Sequence, residues 1–179
     1  MDDYKILFIG RSGSAKTTAI NSASQIDVVS TDVAMSFMAS EQKKETTVGL
    51  DYGDLLMESP DGQHRLRMYG VPGQSRFSFS WEILQQGCSG LVLMIDATDV
   101  CAIDDIHFYT SAVNTDDNRI SLPTVIAIVK GDLLSLESLS KLKEAIHKEN
   151  IISPILWIDA RSKDAVISVL NVLLKQIRR

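Results

Sequence analysis

The chain reads as an α/β protein, a mostly parallel sheet covered by helices, and three features lead there. Apolar runs rich in β-branched residues alternate with amphipathic stretches along its length, and parallel strands need helical crossovers of this kind, which cover both faces of a sheet. The first run, Lys5-Ile6-Leu7-Phe8-Ile9, passes directly into Gly10-Arg11-Ser12-Gly13-Ser14-Ala15-Lys16-Thr17 and then into a helical stretch. One connection is too short for a crossover. It holds Ser59-Pro60-Asp61-Gly62, whose Pro-Asp-Gly chemistry signals a tight turn and so an antiparallel hairpin. The expected sheet has six strands, mostly parallel, with one antiparallel strand.

Taken in order, strands are expected at residues 4–9, 48–57, 64–69, 91–96, 124–129 and 154–158. Helices are expected at 16–24, 76–87, 103–114, 135–149 and 163–178, the last with Ile167, Leu170, Leu174 and Ile177 at helical spacing. Residues 25–47 show no clear period and mix Ser, Thr, Lys and Glu with Met35, Phe37 and Met38, so they read as a long connection of the functional or mobile kind. No repeat, low-complexity tract or linker interrupts the chain, and residues 1–179 are expected to form a single domain.

Composition narrows the function classes. Apolar residues make up 45% and charged residues 23%, which excludes disordered and fibrous classes. The net charge of −5 gives no overall field toward nucleic acid or an anionic membrane. Cys88 and Cys101 have no metal-like spacing and read as reduced thiols of a cytoplasmic protein. No run approaches the ~18 apolar residues of a membrane helix, the start is acidic, and neither a myristoylation glycine nor a C-terminal prenylation cysteine is present, so no intrinsic membrane anchor is expected. His64, His107 and His147 are scattered, without ligand spacing.

The chemistry points to the loops. In the segment from Gly10 to Thr17, glycines let the backbone wrap an anion so that N–H groups and a helix N-terminus face phosphate oxygens. Lys16 would reach β- and γ-phosphates and the Thr17 hydroxyl would ligate Mg²⁺. The usual motif has glycine before the lysine, where this chain has Ala15.

Further segments follow in a recognisable order: Glu45-Thr46-Thr47-Val48-Gly49-Leu50-Asp51-Tyr52-Gly53, then Tyr69-Gly70-Val71-Pro72-Gly73-Gln74-Ser75-Arg76-Phe77, Val129-Lys130-Gly131-Asp132 and Asp159-Ala160-Arg161. With the phosphate loop, this order resembles small Ras-like GTPases of the P-loop NTPase superfamily across essentially the whole chain. Among them it is similar to bacterial Ras-like GTPases of the gliding-motility kind and those encoded beside roadblock-domain proteins. The resemblance implies a Ras-like three-layer fold, GTP or GDP with Mg²⁺ as ligands, and slow GTP hydrolysis stimulated by a partner.

Carried over by position, Gly10, Ser12, Gly13, Ser14, Ala15, Lys16, Thr17 and Thr18 would cradle the nucleotide. Thr47 resembles the first-switch threonine, a Mg²⁺ ligand together with Thr17, and Gly73 the glycine whose N–H meets the γ-phosphate. Gln74 resembles the glutamine that orients the attacking water, and with Lys16 and Thr47 it completes the implied catalytic set. Asp132 would accept from the N1–H and amine of guanine, Lys130 would lay its stem over the base, Ala160 would offer an N–H to the guanine O6, and Arg161 would flank the ring. A regulatory protein, of the activating or roadblock type, and an effector would contact residues 36–47 and 70–81. Lys43, Lys44, Arg11 and Arg76 are local candidates to offset transition-state charge.

Three positions depart from the pattern: Ala15, Gly70 where many such GTPases carry a metal-ordering aspartate, and Val129 in place of an asparagine. They motivate an alternative, a degenerate scaffold with weak or no nucleotide binding. A small-molecule kinase would need an arginine-rich lid, which the sequence lacks.

Overall fold

The computed structural model describes residues 1–39, 42–59, 62–72, 87–113 and 122–179, and of residues 31–39, 42–48, 72, 112 and 113 the backbone alone. Among the described residues, seven strands and four α-helices follow in this order: β1 (Asp2–Gly10), α1 (Lys16–Ala23), β2 (Val29–Ala39), β3 (Gln42–Ser59), β4 (Gly62–Pro72), β5 (Gly90–Asp96), α2 (Ala102–Val113), β6 (Thr124–Val129), α3 (Leu136–Lys148), β7 (Ile155–Trp157) and α4 (Lys163–Ile177). A short 3₁₀ turn, Gly131–Leu133, follows β6.

All seven strands form one sheet in the order β2-β3-β4-β1-β5-β6-β7. β3 runs against both neighbours, and every other pairing is parallel. The expected α/β fold with one antiparallel strand is therefore the observed one. The strand number is corrected from six to seven. The stretch read as a periodless connection holds β2 and the start of β3, and its alternation of Val29, Thr31, Val33, Met35 and Phe37 was the signal for a strand. Thr31 among the larger apolar residues and Ala34 among the polar ones kept that signal weak. The β3–β4 hairpin forms where Pro-Asp-Gly placed it, and Gly62 takes the positive φ of 131° that its turn requires. Of the helix expected at 76–87, residues 76–86 lie outside the described residues.

β1 lies at the centre and is apolar on both faces because both are covered. Ile6 and Phe8 pack with Val92, Met94 and the helices α1 and α4, while Leu7 and Ile9 pack with Leu93, Ile95 and the helices α2 and α3. The buried stripe of α4 is Val166, Val169, Leu170, Leu173 and Leu174, the i, i+3, i+4 spacing of a helix docked on a sheet. Ser135 and Ser162 cap α3 and α4 by accepting from the Ser138 and Ala165 N–H groups.

Two glycines set how closely α1 approaches. A Cβ on Gly53 would lie 2.6 Å from Ile20 Cγ2, and one on Gly70 would lie 3.1 Å from Ile20 Cδ1. The carboxyl ends of β1, β6 and β7 then open at one end of the sheet onto residues 10–16, 130–132 and 158–162, the end at which open α/β sheets bind ligands.

Candidate functional site

The loop between β1 and α1 is shaped by backbone conformations that favour glycine. Gly13 has φ 85° and Ala15, at the start of α1, has φ 61° and ψ 26°. Left-handed residues in such a loop turn N–H groups toward one concavity, an anion-binding geometry, and the first N–H groups of α1 have no partner within the helix. Ser14 N–H donates to Arg11 O at 3.1 Å and closes the turn. Gly10 has no room for a side chain, because a Cβ there would collide with the Met94 carbonyl oxygen and Ser14 Oγ. Among the described residues Ser14 Oγ is itself buried without a hydrogen-bond partner.

Lys16 folds back over this loop. Its Nζ donates to Gly10 O and Arg11 O, both at 2.7 Å. Burial pushes its pKa down to about 8, partly opposed by the charge of Asp51. The Thr17 hydroxyl donates to Asp51 Oδ2, and Ser30 Oγ donates to Asp51 Oδ1 at 2.7 Å. Asp51 thus joins the predicted loop residues, although no role was read for it in the sequence. Arg11 points elsewhere. Its Nε bonds both carboxylate oxygens of Asp105 on α2, at 2.8 and 2.6 Å, so its charge is committed away from the loop.

The second half of the site lies beyond the C-terminal ends of β6 and β7. A cavity of about 240 Å³ is bounded by Ala15, Thr18, Lys130, Asp132, Ala160 and Arg161. Six residues predicted from three separate segments meet here. The volume is below the ~300–1,000 Å³ of whole-ligand pockets and suits one planar ring system, with the rest of a ligand extending along the loop. Ala15 and Lys130, with φ of 61° and 60°, are the non-glycine residues with positive φ among the described residues, and both line this cavity. Such conformations cost energy and cluster at ligand clamps.

Charged neighbours hold the cavity walls. Lys130 Nζ pairs with Asp96 Oδ2 at 2.5 Å, and Asp96 Oδ1 accepts from Thr98 N and Oγ1 at 2.9 and 2.6 Å. Burial alone would raise the Asp96 pKa, but these hydrogen bonds outweigh it and hold the carboxyl below its ordinary value. Arg161 clamps Asp159 through Nε and Nη2, which lowers the Asp159 pKa, and Nη2 also lies 3.5 Å from Asp132 Oδ2. Ser22 Oγ donates to Ala160 O at 2.9 Å and ties α1 to this wall. Val129 ends β6 fully buried, with its backbone O accepting from Ala97 N–H. Asp96 and Asp105 were not singled out from the sequence, although an aspartate ending an apolar strand was a usable signal in the first case.

The remaining predicted residues are described in part or not at all. Gly73 and Gln74, with Arg76 and the aromatic segment 77–81, lie outside the described residues. Thr47 is described by its backbone alone, in β3 opposite Ala34. It stands four positions before Asp51, about 13 Å of strand. Among the described residues no group of three or more His, Cys, Asp or Glu side chains is placed to hold a metal ion, and no helix is long and apolar enough to cross a membrane.

Residues 26–177 match the family described as "Conserved hypothetical ATP binding protein". The chain belongs to that family. The family match begins beyond the phosphate loop, so it includes Lys130, Asp132, Ala160 and Arg161 of the cavity wall but not Ala15 and Thr18. The chain is also similar to ADP-ribosylation factor-like protein 3 of Saccharomyces cerevisiae, 22% identical over 147 residues that cover 82% of this chain and 69% of the relative. It is 26% identical over 145 residues to human ADP-ribosylation factor-related protein 1, covering 80% and 67%. A Ras-related protein, Rab-32C of Dictyostelium discoideum, is 25% identical over 95 residues, covering 53% and 42%.

Proposed function

We propose that this member of the family is a guanine-nucleotide switch of the small-GTPase kind, with slow, partner-stimulated hydrolysis of GTP. The observation that carries the reading is the meeting of Ala15 and Lys130, both in left-handed conformations, with Asp132 at one ring-sized cavity beside the phosphate loop. The likeness to ADP-ribosylation factor-like and Ras-related proteins supports it. The family description names ATP, but a carboxylate favours guanine: Asp132 can accept from the guanine N1–H and 2-amino group, and adenine offers no such pair of donors.

In this reading the loop N–H groups and Lys16 take the phosphates, and Lys16 exchanges its two carbonyl partners for phosphate oxygens. Magnesium fits the donor chemistry, since Mg²⁺ takes few protein oxygens beside those of phosphate, and Thr17, with Thr47, would hold it. When bound it would offset charge on the phosphate oxygens. Gln74 would orient the water and Gly73 would donate its N–H. The commitment of Arg11 to Asp105 supports a charge-offsetting arginine delivered by a partner, which is worth ~10³–10⁵ in rate. That partner and an effector would meet residues 36–47 and 70–81, as in the roadblock-associated bacterial GTPases the sequence resembles.

Titration calorimetry of nucleotide-free protein with GDP, a non-hydrolysable GTP analogue and ADP, with and without Mg²⁺, tests the proposal. Guanine-selective binding supports it. Absence of binding at millimolar nucleotide overturns it in favour of the scaffold reading, which the internal partners already held by Lys16 and Asp132 support.

A further inference from the structure

Position 70 lies opposite Asp51 in the β3–β4 ladder, and position 30 lies opposite Asp51 on the other side. A Cβ on Gly70 would sit 3.2 Å from both Asp51 Cβ and Asp51 Oδ2, and 3.1 Å from Ile20 Cδ1. The space that a side chain at position 70 would need is therefore filled by the Asp51 carboxylate and α1. Glycine at 70 and aspartate at 51 form a complementary pair, and the carboxylate reaches the phosphate loop from the neighbouring strand.

Its contacts match that placement. One oxygen accepts from the Thr17 hydroxyl and the other from Ser30 Oγ. A hydroxyl that donates its proton to a carboxylate leaves its own lone pairs for a cation. A carboxylate accepting one hydrogen bond on each oxygen still has lone pairs for a metal-bound water. Asp51 also acts on the charge of Lys16, so its field extends over the place where phosphate would lie.

We infer that Asp51 is the metal-positioning carboxylate of this chain, orienting Thr17 toward a nucleotide-bound Mg²⁺ from β3 in place of an acidic side chain at position 70. The inference rests on the nucleotide-binding reading above.

The test is release of a fluorescent GDP, measured by stopped flow over a series of free Mg²⁺ concentrations, for the wild type, Asp51→Asn and the double variant Asp51→Gly/Gly70→Asp. The isosteric Asp51→Asn change is expected to raise the Mg²⁺ needed for half-maximal retention at least tenfold, with release in excess chelator unchanged. A role limited to structure would not separate those two readouts. The double variant, which returns a carboxylate to the same space from β4, is expected to recover most of the Mg²⁺ dependence. If Asp51→Asn retains GDP with the wild-type Mg²⁺ dependence, the inference is overturned and nucleotide binding stands. If the wild type binds no GDP at any Mg²⁺ concentration, both are overturned.

Discussion

Arg161 Nη2 lies 3.5 Å from the Asp132 carboxylate while the same guanidinium clamps Asp159 at 2.8 Å. Arg161 and Asp132 are 71% and 59% exposed at their side chains, so the contact adds little to folding. Its value is positional: it holds the Asp132 carboxylate, the proposed reader of the base, at the cavity edge. Asp132→Ala is expected to weaken GDP binding by about 10- to 100-fold, the loss of one or two charge-assisted hydrogen bonds, with ADP affinity unchanged. Calorimetric titration with both nucleotides checks this. Arg161→Ala is expected to change unfolding stability by less than about 0.5 kcal/mol in denaturant titration.

Charge on Lys16 would make the proposed phosphate binding depend on pH. Burial lowers its folded-state pKa to about 8, whereas the unfolded chain keeps the ordinary value near 10.5. Between these values the folded state binds fewer protons than the unfolded one, so stability of the free protein rises with pH across that window. Phosphate reverses the preference by favouring charged Lys16, and binding then takes up a proton above pH 8. GDP affinity should be flat below about pH 7 and fall above pH 8 by up to tenfold per pH unit. Lys16→Met should weaken binding and remove that slope in titrations at pH 7 and 9.

Ala15 places a methyl group in a backbone conformation that costs an L-residue about 1–2 kcal/mol relative to glycine. Ala15→Gly releases that strain but also removes a side chain packed against the α1–α4 core. The net expectation is a gain of up to about 1 kcal/mol in the free protein and tighter GDP binding as the methyl leaves the loop. Thermal melts with and without GDP separate the two effects.

Gly53→Ala would bring a Cβ within 2.6 Å of Ile20 Cγ2 and 3.1 Å of Ser24 Cβ. Helix α1 must move outward, at a cost of about 1–3 kcal/mol by comparison with other overpacked interiors. Denaturant unfolding should show a lower midpoint with an unchanged slope. Because α1 carries Lys16 and Thr17 at its first turn, GDP affinity should fall as well.

Much of this molecule is visible in local pattern. The strand at 124–129 was expected with the bounds it has, and the β1–loop–α1 unit follows from an apolar run, a glycine-bearing loop and a helix in succession. The hairpin follows from Pro-Asp-Gly. Each of these signals lies within a few residues of what it specifies, so sequence spacing carries it. β2 is faint in the sequence because Thr31 and Ala34 blur its alternation, and its partner strand supplies the hydrogen bonds that make it a strand.

The candidate site divides the same way. Glycines, Lys16, Thr17 and Asp132 stand out as residue types at meaningful spacings, whether or not the chain is folded. The roles of their neighbours depend on contacts made across the sheet and between its layers. Arg11 meets Asp105 across 94 residues, and Lys130 meets Asp96 across 34. Asp51 faces Gly70 through the register of two antiparallel strands. Local chemistry thus identifies which residues can bind phosphate and a ring. Strand register and helix packing set which charges are free to do so, because one residue of slip in a ladder would turn Asp51 to the other face of the sheet.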